Sequence, residues 1–484
     1  MGMRRKRAKG GLDFEVVVVG GGSAGYAAAR TTAAAGLRTA VVDGAKELGG
    51  LCILRGCMPT KALLQSAEVR HLAARAGEFG VTTGRIGHDF ARVMARKAAL
   101  IGDFAGYRRG QLTDGRFELI RTRARFLDRH TLEAEDGRRI TGRHFVVATG
   151  SRSVVPPVPG LAETRPWTSD DALTTERPPK SLIVLGGGAV ALEFAQFFAR
   201  FGTRVTQIQR GGHVLRGSDE DVARVLEGVL AREGVDLNTG TRLVSAERAG
   251  SKKRVVFEQG GRTRRVEAEE ILVALGRSPN TEGLGLEAAG VGLDGGRIVT
   301  DAGMRTSVSN IYAGGDCTSR HEIVHLAVLQ GEVAGHNIAF PGRRRVLDDR
   351  LLITVVFTEP QVATVGLTEK AAAEKGVAVI AARYPFDDHG KSLILGATDG
   401  FVKLLADPGS GEILGGSCVG PSGGELIHEI VAAMAKRMTA AELAAMPHYH
   451  PTLAEIWTYP AEELAEGVAA RARRRGKRKS SVVG

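Results

Sequence analysis

The sequence predicts an α/β fold containing two Rossmann-like dinucleotide-binding domains. Two observations predict it. A buried strand, a glycine-rich loop, a helix and a second strand open the chain, and the same pattern returns 166 residues later. Length agrees, because 484 residues are long for one domain. The balance of 43% hydrophobic and 25% charged residues is globular.

The first pattern runs F-E-V-V-V-V-G-G-G-S-A-G, with Gly20, Gly22 and Gly25 in G-x-G-x-x-G spacing. An alanine-rich helix, 26–35, and a strand, 39–42, follow. Asp43 then stands 18 residues beyond Gly25, where an acid grips ribose hydroxyls. Such glycines permit a tight turn and close approach to a pyrophosphate at a helix N-terminus. A lone glycine motif says little, but this context makes it a nucleotide site. Residues 91–112 read as a long helix, and short strands from 117 close at V-A-T-G, ending at Gly150.

The second pattern, S-L-I-V-L-G-G-G-A-V-A-L-E, carries Gly186, Gly188 and Ala191, then a helix through Arg200 and the strand T-R-V-T-Q-I-Q-R. Where an NAD site has an acid, this chain has Gln209 and Arg210, with Arg216 six residues on. Arginines bind a 2′-phosphate that an acid would repel. The second site is therefore expected to prefer NADPH over NADH. A closing strand, I-L-V-A-L-G-R-S-P-N, is expected over 271–280.

Between the two patterns lies G-G-L-C-I-L-R-G-C-M-P-T-K, which holds Cys52 and Cys57, two of only four cysteines. Pro59 and the apolar spacing after it predict a helix start, which places Cys57 where the dipole favours a thiolate. Five residues of regular helix separate Cα atoms by roughly 8.7 Å, and a disulfide needs less than about 7 Å. A Cys52–Cys57 bond therefore requires an irregular turn, which Gly49, Gly50 and Gly56 permit. Alone, the pair suits either a redox centre or metal ligation.

Four cysteines exclude a disulfide scaffold, and no apolar run approaches a membrane span. No signal-peptide core follows the basic start, so a cytoplasmic protein without a membrane partner is expected. The net charge of +12 resides in five cationic residues over 4–9 and seven over 471–479. These read as solvated, disordered tails, capable at most of weak, nonspecific polyanion binding.

Taken in order, these motifs resemble the class I pyridine nucleotide–disulfide oxidoreductases, which include dihydrolipoamide dehydrogenase, glutathione reductase and mercuric reductase. The resemblance adds G-R-S-P-N, then N-I-Y-A-G-G-D ending at Asp316, V-V-F-T-E-P-Q-V-A-T-V-G over 355–366, and H-Y-H-P-T-L-A-E over 448–455. It implies FAD over 11–153 and 281–345, NAD(P)H over 154–280 and an α+β dimerisation domain over 346–468, between basic tails at 1–10 and 469–484. It also implies that Asp316 holds the flavin ribitol, with a helix from about Glu322 aimed at the flavin ring. Lys61 matches the lysine beside the reactive flavin nitrogen, and Glu193 matches its ion-pair partner. Cys57 matches the flavin-facing thiol and Cys52 the interchange thiol. His450 matches the acid–base and Glu455 the residue that orients it, reaching across a homodimer to the partner's Cys pair. His448, Cys317 and Cys418 are expected to have packing roles only.

The resemblance implies an electron path from NADPH through FAD to the Cys52–Cys57 disulfide and on to a small-molecule disulfide or dithiol. No resident metal is expected. Parts of the body look most like mercuric reductase, which makes Hg(II) reduction the runner-up. The C-terminal vicinal cysteines of that enzyme are missing, and His450 with Glu455 suits thiol proton transfer. A redox-regulated flavoprotein that binds nucleic acid through its tails is the alternative of another class. The chain departs from the family pattern at Leu51 and Leu54, which make the mouth of the site more apolar, and at Ala189, where some relatives place a gating aromatic.

Overall fold

A computed structural model describes residues 11–318 and 321–480, with side chains through Arg474. The chain divides into two compact units. Among the described residues, one comprises 11–62, 92–154 and 276–347, the other 63–91, 155–275 and 348–480.

The first unit is built on a parallel sheet in the order Glu118–Ile120, Thr39–Val42, Phe14–Val19, Arg139–Val147, with Ile311–Ala313 also beside Arg139–Val147. The strand Phe14–Val19 is almost continuously buried because the sheet is covered on both faces. Val17, Val19, Ala40, Val42, Phe145 and Val147 pack on one side. Val16, Val18, Val41 and Val146 pack on the other, under the helices Ser23–Ala34 and Val324–Ala339. Those two helices meet on glycine: a Cβ on Gly331 would lie 2.1 Å from the Ala24 carbonyl oxygen. The helix expected from about Glu322 thus begins at Val324.

The second unit holds the parallel sheet Asp236–Asn238, Arg204–Ile208, Ser181–Leu185, Glu270–Val273 and an antiparallel three-stranded sheet over 241–268. The helix Ala189–Arg200 is apolar nearly all round and correspondingly buried. A five-stranded antiparallel sheet follows, ordered Ile353–Val356, Gln361–Gly366, Ile413–Gly420, Phe401–Ala406, Ile380–Pro385. Trp457 is buried among its covering helices and donates its indole N–H to the Leu426 carbonyl at 3.1 Å.

Three sequence expectations change. The closing strand expected over 271–280 is two elements, Glu270–Val273 in the second unit and Arg277–Pro279 in the first. Gly276, at φ +126°, turns the chain between them, so apolar continuity did not mean one strand. A short helix, Gly50–Arg55, precedes the expected helix, which starts at Cys57. Residues 469–480, expected as part of a disordered tail, continue the helix Thr458–Ser480, since Ala, Arg and Lys are strong helix formers. The expected tails at 1–10 and 481–484 lie outside the described residues. Among the described residues no helix is long and apolar enough to cross a membrane.

Lys403 is the main buried ionic node of the second unit. Its ammonium, 2% exposed, lies 3.0 Å from Asp219 and 2.8 Å from both Asp221 and Glu369. Burial opposes the Asp219 charge, but the Lys370 backbone N–H and Lys403 outweigh it and hold that carboxyl below its usual range. Lys403→Met removes the cation from the buried Asp219 carboxylate, which keeps only its Glu369 and Lys370 backbone donors, and is expected to cost about 3 kcal/mol in denaturant unfolding near neutral pH. A lowered carboxyl stabilises above its unfolded value, about 3.9, and that contribution is lost as pH falls through the folded value. The difference between wild type and variant should therefore shrink below about pH 4.

Candidate functional site

The first glycine loop forms as a dinucleotide cradle requires. A Cβ on Gly25 would lie 1.8 Å from the Gly20 carbonyl oxygen, so the helix Ser23–Ala34 starts tight against the loop. Its N-cap, Gly22, has no side-chain cap, which leaves backbone N–H groups to face an anion. Asp43 is only 12% exposed and braces the loop. Its Oδ2 accepts from Gly21 N and its Oδ1 from Ala45 N, both at 2.8 Å. Arg121 donates to the Asp43 carbonyl at 3.0 Å.

Asp316 closes the same sheet beyond Ile311–Ala313. Ser151 donates to its Oδ2 at 2.7 Å, Arg277 donates to Ser151 Oγ at 2.7 Å, and Arg297 donates to the Asp316 carbonyl at 2.8 Å. Ala148, Thr149 and Gly150 join the sheet strand Arg139–Val147 to the strand Ser151–Ser153. A tight loop, an uncapped helix start and a carboxylate at the strand end fit FAD.

The Cys pair stands against this loop. A Cβ on Gly50 would lie 2.8 Å from Gly22 Cα, so the helix Gly50–Arg55 abuts the cradle directly. Gly56 folds back on the same helix, where a Cβ would lie 3.0 Å from Leu51 O and 3.1 Å from Cys52 Cα. This is the irregular turn that the five-residue spacing demands, and it lets Cys52 and Cys57 hydrogen bond as free thiols. That hydrogen bond and burial push the Cys52 thiol well up, while Lys61 acts in the opposite direction. Cys52 is therefore held protonated beside Cys57. Cys317 and Cys418 are fully buried, and burial pushes both thiols up.

The second glycine loop repeats the first with one substitution. Asp43 lies 22 residues after Gly21, and Gln209 lies 22 after Gly187. A Cβ on Gly187 would lie 2.7 Å from Gln209 Cδ, so a neutral carboxamide fills the place of the acid. Gly186 comes so close to Ala274 that a Cβ would lie 2.3 Å from its carbonyl oxygen, and Gly188 caps the following helix. Arg210 and Arg216 are both exposed. Glu193 is buried and accepts from Phe357 N at 2.9 Å.

His450 Nδ1 lies 3.0 Å from Glu455 Oε2. The His450 side chain is 79% exposed and the Glu455 side chain 12%, so an accessible imidazole is tethered through one nitrogen to a buried carboxylate. His448 is tied on both sides, Nδ1 to Met446 O at 3.0 Å and Nε2 to Glu429 at 2.6 Å, as a packing residue would be. The sequence reading missed His389, whose Nε2 lies 3.5 Å from Glu455 Oε1. Sixty-six residues separate it from Glu455, and D-D-H-G carries no motif that would flag it. It also missed Ser151 and Arg121, which lie 165 and 78 positions in sequence from the residues they hold.

Similarity to known proteins accords with this geometry. Residues 14–331 match the pyridine nucleotide-disulphide oxidoreductase family, and residues 352–461 match its dimerisation domain. The chain is 35% identical over 460 residues to a dihydrolipoyl dehydrogenase of Geobacillus stearothermophilus, covering 94% of this chain and 97% of that one. It is 33% identical over 449 residues to a mercuric reductase of Bacillus cereus, covering 92% of this chain and 71% of the relative. Among solved structures it is similar to the HOCl-induced flavoprotein disulfide reductase RclA from Escherichia coli, with a TM-score of 0.83 and 27% identity over 93% of this chain and 99% of that one. LpdA from Mycobacterium tuberculosis gives a TM-score of 0.83 at 29% identity, covering 93% of this chain and 99% of that one. The chain belongs to the class I pyridine nucleotide–disulfide oxidoreductases and is an FAD-dependent oxidoreductase acting on sulfur groups, with the family's dimerisation domain at its C-terminal end.

Proposed function

We propose that this chain is a homodimeric, cytoplasmic NADPH:disulfide oxidoreductase that exchanges electrons with a small-molecule disulfide or dithiol of the lipoamide kind. The observation that carries this reading is the exposed His450 imidazole tethered to buried Glu455, which is built for moving a proton and not for holding a soft metal ion. The roles that follow belong to the proposal.

FAD, when bound, supplies two-electron transfer between the nicotinamide and the Cys pair. Gly20, Gly22 and Gly25 would bind its pyrophosphate, Asp43 the ribose and Asp316 the ribitol, with Gly150 beside the flavin and Lys61 and Glu193 paired near its ring. Gly186 and Gly188 would seat the NADPH pyrophosphate, and Arg210 and Arg216 the 2′-phosphate. Residues 11–153 and 281–345 would form the FAD domain, 154–280 the NADPH domain and 346–468 the dimer domain.

Cys52 is held as a thiol, so it needs a proton acceptor before it can attack. His450 from one protomer would take that proton at the Cys pair of its partner. The Cys52 thiolate then attacks one sulfur of the substrate disulfide. The substrate S–S bond breaks, and the leaving thiolate takes the proton back from His450. Cys57 gives up its proton and attacks the Cys52 sulfur of the mixed disulfide; the Cys52–Cys57 bond closes, the Cys52–substrate bond breaks, and the second substrate sulfur leaves with that proton as a thiol. Two electrons leave the dithiol and reduce one disulfide.

Two predictions test the reading. NADPH should give a higher kcat/KM than NADH, and Arg210→Ala with Arg216→Ala should erase the preference. Each charge-assisted contact to the 2′-phosphate contributes about 1.5–3 kcal/mol. A wild-type preference for NADH would overturn the assignment of Gln209 and Arg210.

His450→Ala should slow lipoamide turnover by roughly 10²–10⁴, the range for a lost acid–base. Single-turnover NADPH oxidation by the same variant should stay near wild type. Glu455→Gln should show a milder form of the same split. Full lipoamide turnover without His450 would reject the acid–base role of that residue and remove the observation that carries this reading.

A further inference from the structure

Glu455 has a second imidazole on its other oxygen. His389 lies between the turn Phe386–Asp388 and the helix Gly390–Leu395, and its ring is fully buried. Nδ1 lies 2.8 Å from Ser392 Oγ, which is also fully buried. Nε2 is buried and makes no hydrogen bond of ordinary geometry, and Glu455 Oε1 stands 3.5 Å from it. Glu455 Oε2 meanwhile meets His450 Nδ1 at 3.0 Å. One buried carboxylate is thus bracketed by an exposed histidine and a buried one.

The chemistry of the buried ring sets what it can do. Burial pushes His389 below its usual range, against the opposing pull of Glu455, so the ring is neutral at pH 7. A neutral imidazole has one N–H. When Ser392 donates to Nδ1, that N–H is on Nε2 and faces Glu455. An unspent buried donor is costly, and a carboxylate is the acceptor that best offsets it.

We propose that His389 is a positioning residue for the thiol half-reaction: its Nε2–H steadies the Glu455 carboxylate, which in turn orients His450. The inference rests on the reading of His450 as the acid–base. His389 touches no substrate and acts only through Glu455.

Few other groups compete for the role. Tyr459 and Phe386 meet the His389 ring edge-on, each with centroids 6.4 Å away. Tyr384 stacks on Tyr459 at 3.9 Å and donates to Asp388 at 3.0 Å. Burial and Asp388 push Tyr384 up to about 12, so it stays neutral through the working range. The titratable groups around His389 are therefore Glu455, His450, Tyr459, Tyr384 and Asp388, of which Glu455 alone faces Nε2 at short range.

The test compares His389→Leu, which removes the donor, with His389→Asn, which restores an N–H, in the FAD-loaded dimer with lipoamide as probe. The Leu variant should lose about tenfold in kcat/KM, which is about 1.4 kcal/mol. The limb of the pH profile that follows His450 should move to lower pH by about half a unit or more, because a less steady carboxylate supports the imidazolium less well. The Asn variant should recover most of both, and single-turnover NADPH oxidation should match wild type in each. Ser392→Ala, which frees the tautomer, should move the same limb in the same direction by less. It stands in for the Leu variant if that protein does not fold. A Leu variant with the wild-type pH profile, an Asn variant as impaired as Leu, or an unmoved limb in Ser392→Ala overturns the inference. His450→Ala with undiminished turnover overturns the reading beneath it. Lost turnover in His450→Ala, beside an unchanged profile in His389→Leu, overturns the His389 inference alone.

Discussion

Gly50 rests on Gly22 with no space for a side chain, since a Cβ there would come within 2.8 Å of the neighbouring Cα. The rest of the site depends on this backbone contact. It brings the helix Gly50–Arg55 against the loop that opens the first nucleotide fold, so the chain that holds the thiols and the chain that fits the pyrophosphate share one wall. Gly56 then reverses the chain onto Cys52, and the two sulfurs meet although five residues separate them. Any side chain at Gly50 would push the Cys-bearing helix away from the cradle. Backbone contact is a stiffer way to fix distance than side-chain packing, because no rotamer absorbs the strain.

The second nucleotide fold shows how one frame is retuned by a single position. Both loops carry a residue 22 places on whose side chain fills the space beneath the middle glycine. In the first it is Asp43, which accepts from Gly21 N and Ala45 N. In the second it is Gln209, one methylene longer and without charge. The frame is kept by a side chain under the middle glycine, whether charged or neutral. In the proposed reading, that difference admits a 2′-phosphate beside Arg210.

The thiol chemistry has a comparable division of labour. The His450 ring is exposed and would be free to turn without Glu455. Glu455 is buried, and a buried carboxylate needs partners on both oxygens. His450 provides one, and His389 lies against the other. The core behind them, with Phe386 and Trp457 fully buried, holds Glu455 and His389 in place while the His450 ring stays exposed. Lys403 does the equivalent for Asp219, Asp221 and Glu369 elsewhere in the same unit.

Much of this was legible in the sequence because it is local. Strand Phe14–Val19 announces itself by an unbroken valine run, and strand Thr39–Val42 by its apolar residues and the acid that ends it. The glycine loops and the Cys spacing each lie within a few residues, where geometry follows from turn and helix periods, while His450 and Glu455 were legible only through the family resemblance. The break at Gly276 was not legible, because an apolar run looks the same whether it makes one strand or two in different units. The sequence by itself determined the two nucleotide folds, the position of the thiol pair and the closeness in sequence of His450 and Glu455. Only the tertiary structure decided that Gly50 stands on Gly22, that Ser151 holds Asp316 and that His389 backs Glu455. Those contacts join residues 28, 165 and 66 positions apart, and the cost of bringing such residues together is met by the whole fold, not by any local pattern.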